Sequence, residues 1–309
     1  MDKMQKDARD YRLLPRANYH LCTDGWQGGK LFNNRAQFRF GMATIALVAV
    51  MFDVRIISFE LMPNHVHMIL NASGAICLAI FLFIRRRTTA KLKKDGYPPL
   101  PEDYWFKLKP IEDDQALRHE ILYLARNAYE KDYCIPGGYP WGSSYLHFNR
   151  ATDSIRGPQI KNWKTTEIRR LTGTKTKFPG TWEMSPDLGI LPRNYVHSDQ
   201  VQKLFSSAKG YMTRLVKDYE SAIHIAEELG EEIILSREEL TDIVRSQANT
   251  MFPGKLVKDL APNEKGRLAV ALEKQYHFPV PTLADLLYMS EKIIRQFLNS
   301  KDYGYREWK

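Results

Sequence analysis

Two histidines one residue apart, His65 and His67 in the stretch MPNHVH (62–67), form the spacing richest in chemistry in this chain. On a β-strand, residues i and i+2 face the same way, so the pair presents two imidazoles side by side while Val66 points into the core. That is half of a metal site, although two histidines decorating a sheet face would read the same way in sequence. A second pair narrows the choice. Tyr123 and Asn127, in EILYLARN (120–127), are spaced i, i+4 and share one helix face, offering a phenol and an amide together. A phenol, with an ordinary pKa of about 10, attacks phosphorus when a divalent cation on the phosphate activates the electrophile. The amide oxygen of Asn127 is a candidate third ligand. Taken singly, Tyr123 reads as a packing tyrosine; only the combination points to chemistry.

The elements that must position these groups follow from periodicity. Asn18 to Cys22 reads as a strand, and Arg35 to Phe52 as a helix after the loop residues Gly25 to Asn34. Val54 to Leu61 and His65 to Asn71 read as a hairpin, and Ser73-Gly74 opens a helix that is apolar to Ile84 and strongly basic beyond it. A strand near Tyr104 to Leu108 and a helix from about Glu112 to Asp132 follow. The order is that of a split βαβ, so the expected fold class is α+β: a ferredoxin-like antiparallel sheet with helices on one face, over residues 1–150. Residues 151–197 read as a basic linker or extension, and 198–309 as an all-helical domain in which Gln200 to Leu229 forms one long helix.

Four anchors in order, Asn18-Tyr19-His20, FELMPNHVHMIL (59–70), YLARN (123–127) and YPWGSS (139–144), resemble the single-tyrosine HUH transposases, most closely the REP-associated tyrosine transposases. The resemblance covers roughly Tyr11 to Phe148. It implies Tyr123 as nucleophile, His65, His67 and Asn127 as ligands of Mg²⁺ or Mn²⁺, and single-stranded or hairpin DNA as partner. The implied reaction is DNA cleavage and rejoining through a 5′-phosphotyrosine. Two departures stand out: Ala128 follows Asn127 where the family commonly has proline, leaving Tyr133 as a weaker alternative nucleophile, and Gly142 is inserted in the closing motif. A non-catalytic DNA-binding regulator and a hydrolase using the histidines to activate water are the competing readings.

Charge agrees with a polyanionic partner. Lys+Arg number 45 against 36 Asp+Glu, a net charge of +9. Arg85, Arg86 and Arg87, together with Lys107 and Lys109 beside Tyr104, Trp105 and Phe106, suit a single strand, with cations following phosphates and rings stacking on bases. Near the C-terminus, 282–298 reads as a helix-turn-helix presenting Lys292, Arg295 and Gln296 outward, supported by a helix at Asn263 to Tyr276; any small helical bundle has a similar period. Cys22, Cys77 and Cys134 form no CxxC pair, which argues against a disulfide framework or a thiolate zinc site. No apolar run approaches the roughly 20 residues that span a bilayer. The expectation is therefore a cytoplasmic protein with no membrane partner, for which a homodimer is an open option.

Overall fold

A computed structural model describes residues 3–25, 28–130, 138–148, 155–217, 219–230, 237–276 and 278–299. The chain divides into two compact units, Met1–Ile233 and Ile234–Lys309. The division expected at residue 198 therefore lies later in the chain, and its cause is visible in the first unit's packing.

After helix α1 (Lys3–Leu13), the first unit builds β1 (Ala17–Thr23), α2 (Arg35–Met51), β2 (Arg55–Leu61), β3 (Val66–Ala72), α3 (Gly74–Lys94), β4 (Phe106–Ile111) and α4 (Asp114–Glu130). The strands form one antiparallel sheet in the order β2-β3-β1-β4, so β3 lies between β1 and β2. Helices α2 and α3 are each capped by a side chain: Asn34 accepts from the Gln37 amide and Ser73 from the Ile76 amide. Gly74 has a steric reason, because a Cβ there would stand 2.0 Å from the Tyr11 carbonyl of α1.

Strand alternation sorts residues to two faces. One face carries Tyr19, Leu21, Phe59, Leu61, Val66, Met68 and Leu70 and is covered by Met42 and Ile45 of α2 and by Cys77, Ile80 and Phe81 of α3. The other carries Cys22, Ile57 and Ile69, and it is covered as well. Leu117, Ile121 and Leu124 of α4 pack there, joined by α6 (Ser198–Phe205), α7 (Ala208–Lys217) and α8 (Tyr219–Leu229). The expectation of helices on one face only is therefore corrected. Residues 198–229 are not one helix: the chain breaks after Phe205, where Ser206 takes a left-handed conformation (φ 60°). The three segments carry the apolar residues that close the second face, which binds them to the first unit.

The basic linker expected at 151–197 also needs correction over its described part. Ile160, Phe178, Met184, Ile190, Tyr195 and Val196 are buried in the core on the α2 side. Helix α5 (Thr165–Thr172) packs on α2, and β5 (Met184–Ser185) pairs with β6 (Gly189–Ile190). The lysines and arginines of this stretch decorate a packed layer.

The second unit contains α9 (Arg237–Met251), α10 (Pro262–Tyr276), α11 (Val280–Leu287) and α12 (Glu291–Asn299) around Ile243, Val244, Leu268, Leu272, Leu283, Leu287 and Ile294. The helical reading of this region matches. Among the described residues, no helix is long and apolar enough to cross a membrane.

Candidate nucleic-acid cleavage site

His65 and His67 converge. Their Nε2 atoms are 2.8 Å apart and both residues are buried. His67 is on β3 and His65 immediately precedes it, while Val66 between them enters the opposite core as its alternation requires. From α4, which crosses the same face, Tyr123 lays its ring edge-on to His67 (centroids 5.7 Å, 90°), and Asn127, one turn on, brings Nδ2 to 3.3 Å from His67 Nε2. The four residues expected to act together are thus brought together, all buried, with Tyr123 only 3% exposed. Tyr133 and the side chain of Tyr129 lie outside the described residues.

A polar chain runs away from this cluster in both directions. His67 Nδ1 is 3.0 Å from His20 Nε2 across the β1–β3 pair, and His20 Nδ1 is 2.6 Å from Glu120 Oε2 on α4. The other Glu120 oxygen meets Lys109 of β4 at 2.9 Å, and Lys109 also contacts Glu228 of α8. Burial alone would raise the Glu120 pKa, but His20 and Lys109 outweigh it and hold the carboxyl below its ordinary range. On the far side, His65 Nδ1 is 2.9 Å from Asn64 Oδ1, whose amide donates to the Gly25 carbonyl at 2.8 Å.

Proton counting shows what this arrangement can hold. Asn64 Oδ1 can only accept, so His65 carries its proton on Nδ1 and its Nε2 presents a lone pair. Glu120 likewise accepts, so His20 donates from Nδ1; when His20 is neutral, its Nε2 accepts from His67 Nδ1–H, and His67 Nε2 presents a lone pair too. Two lone pairs 2.8 Å apart need a cation between them, a shared proton or a metal ion. Two nitrogens on one ion at about 2.1 Å, subtending roughly a right angle, would stand about 3 Å apart. Turning the Asn127 amide over, a choice of assignment only, would put its oxygen toward the same point. Among the described residues no three His, Cys, Asp or Glu side chains cluster as a metal cage, so an ion here would rest on two imidazoles and an amide oxygen. That donor set fits a divalent cation, with nitrogen ligands favouring Mn²⁺ over Mg²⁺.

No family model matches the chain, and neither does any curated protein. The chain is similar to one solved transposase structure. It is that of a REP-associated tyrosine transposase bound to a REP hairpin, at 15% identity and a TM-score of 0.37, covering 56% of this chain and 96% of that one. A likeness so distant decides nothing about this chain's chemistry, which its own side chains must carry.

His20 and Glu120 were not singled out for chemistry from sequence, although the signals existed: Glu120 precedes Tyr123 by three residues and Asn127 by seven, on one helix face. The basic residues fare differently. Lys107 donates to the Leu229 carbonyl and Lys109 pairs with Glu120 and Glu228, so both are spent holding α8 and the polar chain rather than facing a strand. Arg87 donates to Thr172 O (2.9 Å) and Thr44 Oγ1 (3.1 Å) and lies 4.5 Å above the Phe40 ring, and Arg85 donates to the carbonyls of Pro101 and Glu102. These four are corrected to structural roles: Lys107, Arg85 and Arg87 donate to backbone carbonyls and Lys109 pairs with two carboxylates. Arg86 is exposed, as are Lys292, Gln296 and Arg295 on α12, the last paired with Glu291 at 3.2 Å. The closing motif also packs: Tyr139 donates to the Leu61 carbonyl (2.7 Å), Trp141 stacks on Phe38, and Ser143 caps the edge of β2 at Phe59.

Proposed function

We propose that the first unit cleaves and rejoins single-stranded or hairpin DNA by transesterification, with Tyr123 as nucleophile and His65, His67 and Asn127 as the ligands of a divalent metal. The observation that supports this most is the convergence of two imidazole Nε2 atoms and the Asn127 amide beneath the Tyr123 ring. The antiparallel strand order β2-β3-β1-β4, with the hairpin strand β3 between β1 and β2, supports the ferredoxin-like sheet that this reading expects.

A bound divalent cation would polarise the phosphodiester and offset charge building on its oxygens. The rest belongs to the chain. Tyr123 Oη loses its proton as the Oη–P bond forms, the P–O3′ bond breaks, and the departing 3′ oxygen takes up a proton. Attack by a second 3′-hydroxyl restores the phosphodiester and returns Tyr123, so no nucleotide cofactor is consumed. His20, Glu120 and Lys109 orient the His67 ring and fix its tautomer, acting as positioning residues. One observation favours a second reading, a DNA-binding regulator: Tyr123 and both histidines are closed off from solvent, so catalysis requires the site to open.

The deciding experiment incubates the protein with labelled single-stranded and hairpin DNA and Mn²⁺, then resolves covalent adducts on a denaturing gel. Wild type is expected to give an adduct, Tyr123→Phe none with DNA affinity nearly unchanged, and His65→Ala and His67→Ala none with weakened Mn²⁺ binding. Free nicked product without adduct would mean hydrolysis; a mobility shift alone would establish the regulator.

A further inference from the structure

At the start of α4, away from the histidines, the first unit carries an open cleft of about 490 Å³ whose lining includes Arg55, Arg118, His197 and Lys203. These groups come from four places in the chain. Arg55 opens β2; His197 is held beside it, because its amide donates to the Ile56 carbonyl (3.0 Å) where Val196 bridges Ile56. Lys203 is on α6 and Arg118 on α4, and the Arg118 Nε–H donates to the Leu204 carbonyl at 2.9 Å, leaving the two terminal nitrogens of its guanidinium for another acceptor.

The cleft's cations are unspent. Among the described residues, the side chains of Arg55, His197 and Lys203 make no hydrogen bond or ion pair, in contrast to Lys107, Lys109, Arg85 and Arg87 elsewhere in the unit. Two carboxylates, Asp114 and Asp199, also line the cleft. Both occupy first helical turns, where backbone amides and the helix dipole offset their charge, and neither pairs with the cations. Three unpaired cations and an imidazole around an open cleft suit an anion whose several oxygens can each accept from a different group.

We propose that this cleft binds backbone phosphate of a nucleic-acid strand. The choice of a polymer over a small phosphate compound rests on the function proposed above and on two features of the chain: its net charge of +9 and the shared helix. Arg118 and Tyr123 are five residues apart on α4, about 7.5 Å along its axis and roughly 140° around it, so the cleft lies close to Tyr123 along the same helix but on a different face. The cleft is open, as a passing strand needs, and charged groups dominate its lining. Its cations would follow the phosphates and set the strand's position.

The test measures binding of a labelled DNA hairpin with a single-stranded tail to the full chain, without divalent metal and over a series of salt concentrations. Lys203→Gln and Arg55→Gln remove charges that bond to nothing else, so their folding is not at stake; Lys161→Gln, an exposed lysine outside the cleft, is the control. Each cleft variant is expected to weaken binding several-fold and to flatten the salt slope by about one unit, the control to do neither. Unchanged affinity and slope in the Lys203→Gln, Arg55→Gln double variant would overturn the proposal. So would displacement of the hairpin by inorganic phosphate or a mononucleotide at micromolar concentration, which would make the cleft a small-molecule site. Wild-type protein that binds DNA yet forms no adduct defeats the catalytic reading alone, whereas the salt-slope comparison still judges the cleft.

Discussion

Glu120 and Glu60 are both buried on the same side of the same sheet, and they end in opposite states. Glu120 meets His20 at 2.6 Å and Lys109 at 2.9 Å and is held below the ordinary carboxylate range. Glu60, opposite His67 in the β2–β3 register, has no hydrogen bond on either oxygen among the described residues, and burial pushes it up to about 8, the nearby Ser144 hydroxyl and amide lowering it only in part. Its neighbourhood is equally unpartnered: His147 Nδ1 and the Tyr211 hydroxyl are buried without hydrogen bonds, and burial drives His147 down to about 3. Burial with partners preserves a charge that can orient a neighbour; burial without them extinguishes it. The same face of one sheet thus holds a charged row able to aim His67 and a neutral row that resists ionisation.

Breaking the charged row should have the larger consequence. Glu120→Gln keeps the shape but turns an acceptor into a group that can also donate, so His20 and then His67 lose their enforced tautomers. Mn²⁺ affinity measured by calorimetry is expected to fall about 10–100-fold, the range for groups that orient a metal ligand. DNA affinity without metal should stay as it was. A Glu120→Gln protein that binds Mn²⁺ like wild type would reduce the polar chain to packing.

The neutral row answers to pH. For Glu60 the folded pKa is raised from 4.5 to about 8, so the folded state holds a proton that the unfolded state has released. The stability this confers is complete below pH ~4.5, declines through the interval, and is gone above pH ~8, a change on the order of a few kcal/mol. Glu120 has the opposite sign: its lowered pKa stabilises above the ordinary carboxylate range and fails as acid protonates it. His147, lowered from 6.5 to about 3, likewise costs stability as pH falls below 6.5. Burial places Tyr145 and Tyr211 above the window, so neither confuses it. Glu60→Gln is therefore expected to stabilise the protein most at pH 9 and by a clearly smaller amount at pH 5.5, where about one pH unit of the interval has been crossed, read by urea unfolding at both. Equal effects at the two pH values would mean that Glu60 has a partner after all.

Much of this architecture was legible in the sequence, and the reasons for the remainder are specific. Alternation gave His67 and Val66 their faces, and caps at Asn34 and Ser73 marked two helix starts within a residue. The second covering layer was not legible, because the amphipathic period of residues 198–229 shows that a helix has an apolar side but not which surface receives it. Lys107 and Lys109 misled for a related reason: a lysine on a strand next to aromatic residues has the same sequence signature whether it meets a phosphate or a helix C-terminus. His20 stood out only as part of the Asn18-Tyr19-His20 anchor, and its role was not legible since its partner is 100 residues away on α4.

The smallest expected effect concerns the inserted Gly142, which sequence alone marked only as a loop variation. Its backbone bridges Glu60 at the edge of β2, and a Cβ there would stand 1.9 Å from Glu60 Oε2 and 2.7 Å from the Phe59 carbonyl. The glycine therefore makes room for a buried carboxyl with no other berth, and the neutral row depends on it. Gly142→Ala is expected to destabilise by about 1–3 kcal/mol, the usual cost of overpacking, by forcing the Glu60 side chain or the 142–144 segment to shift. Glu60→Ala removes the closer of the two obstacles but not the backbone oxygen, so in the double variant the alanine at 142 should cost less than it does alone, without becoming free. A double-mutant cycle in urea at pH 6, where Glu60 is protonated, isolates that coupling from charge. Strict additivity would show that the clash with Phe59 governs and that the glycine answers to the strand edge, not to the glutamate.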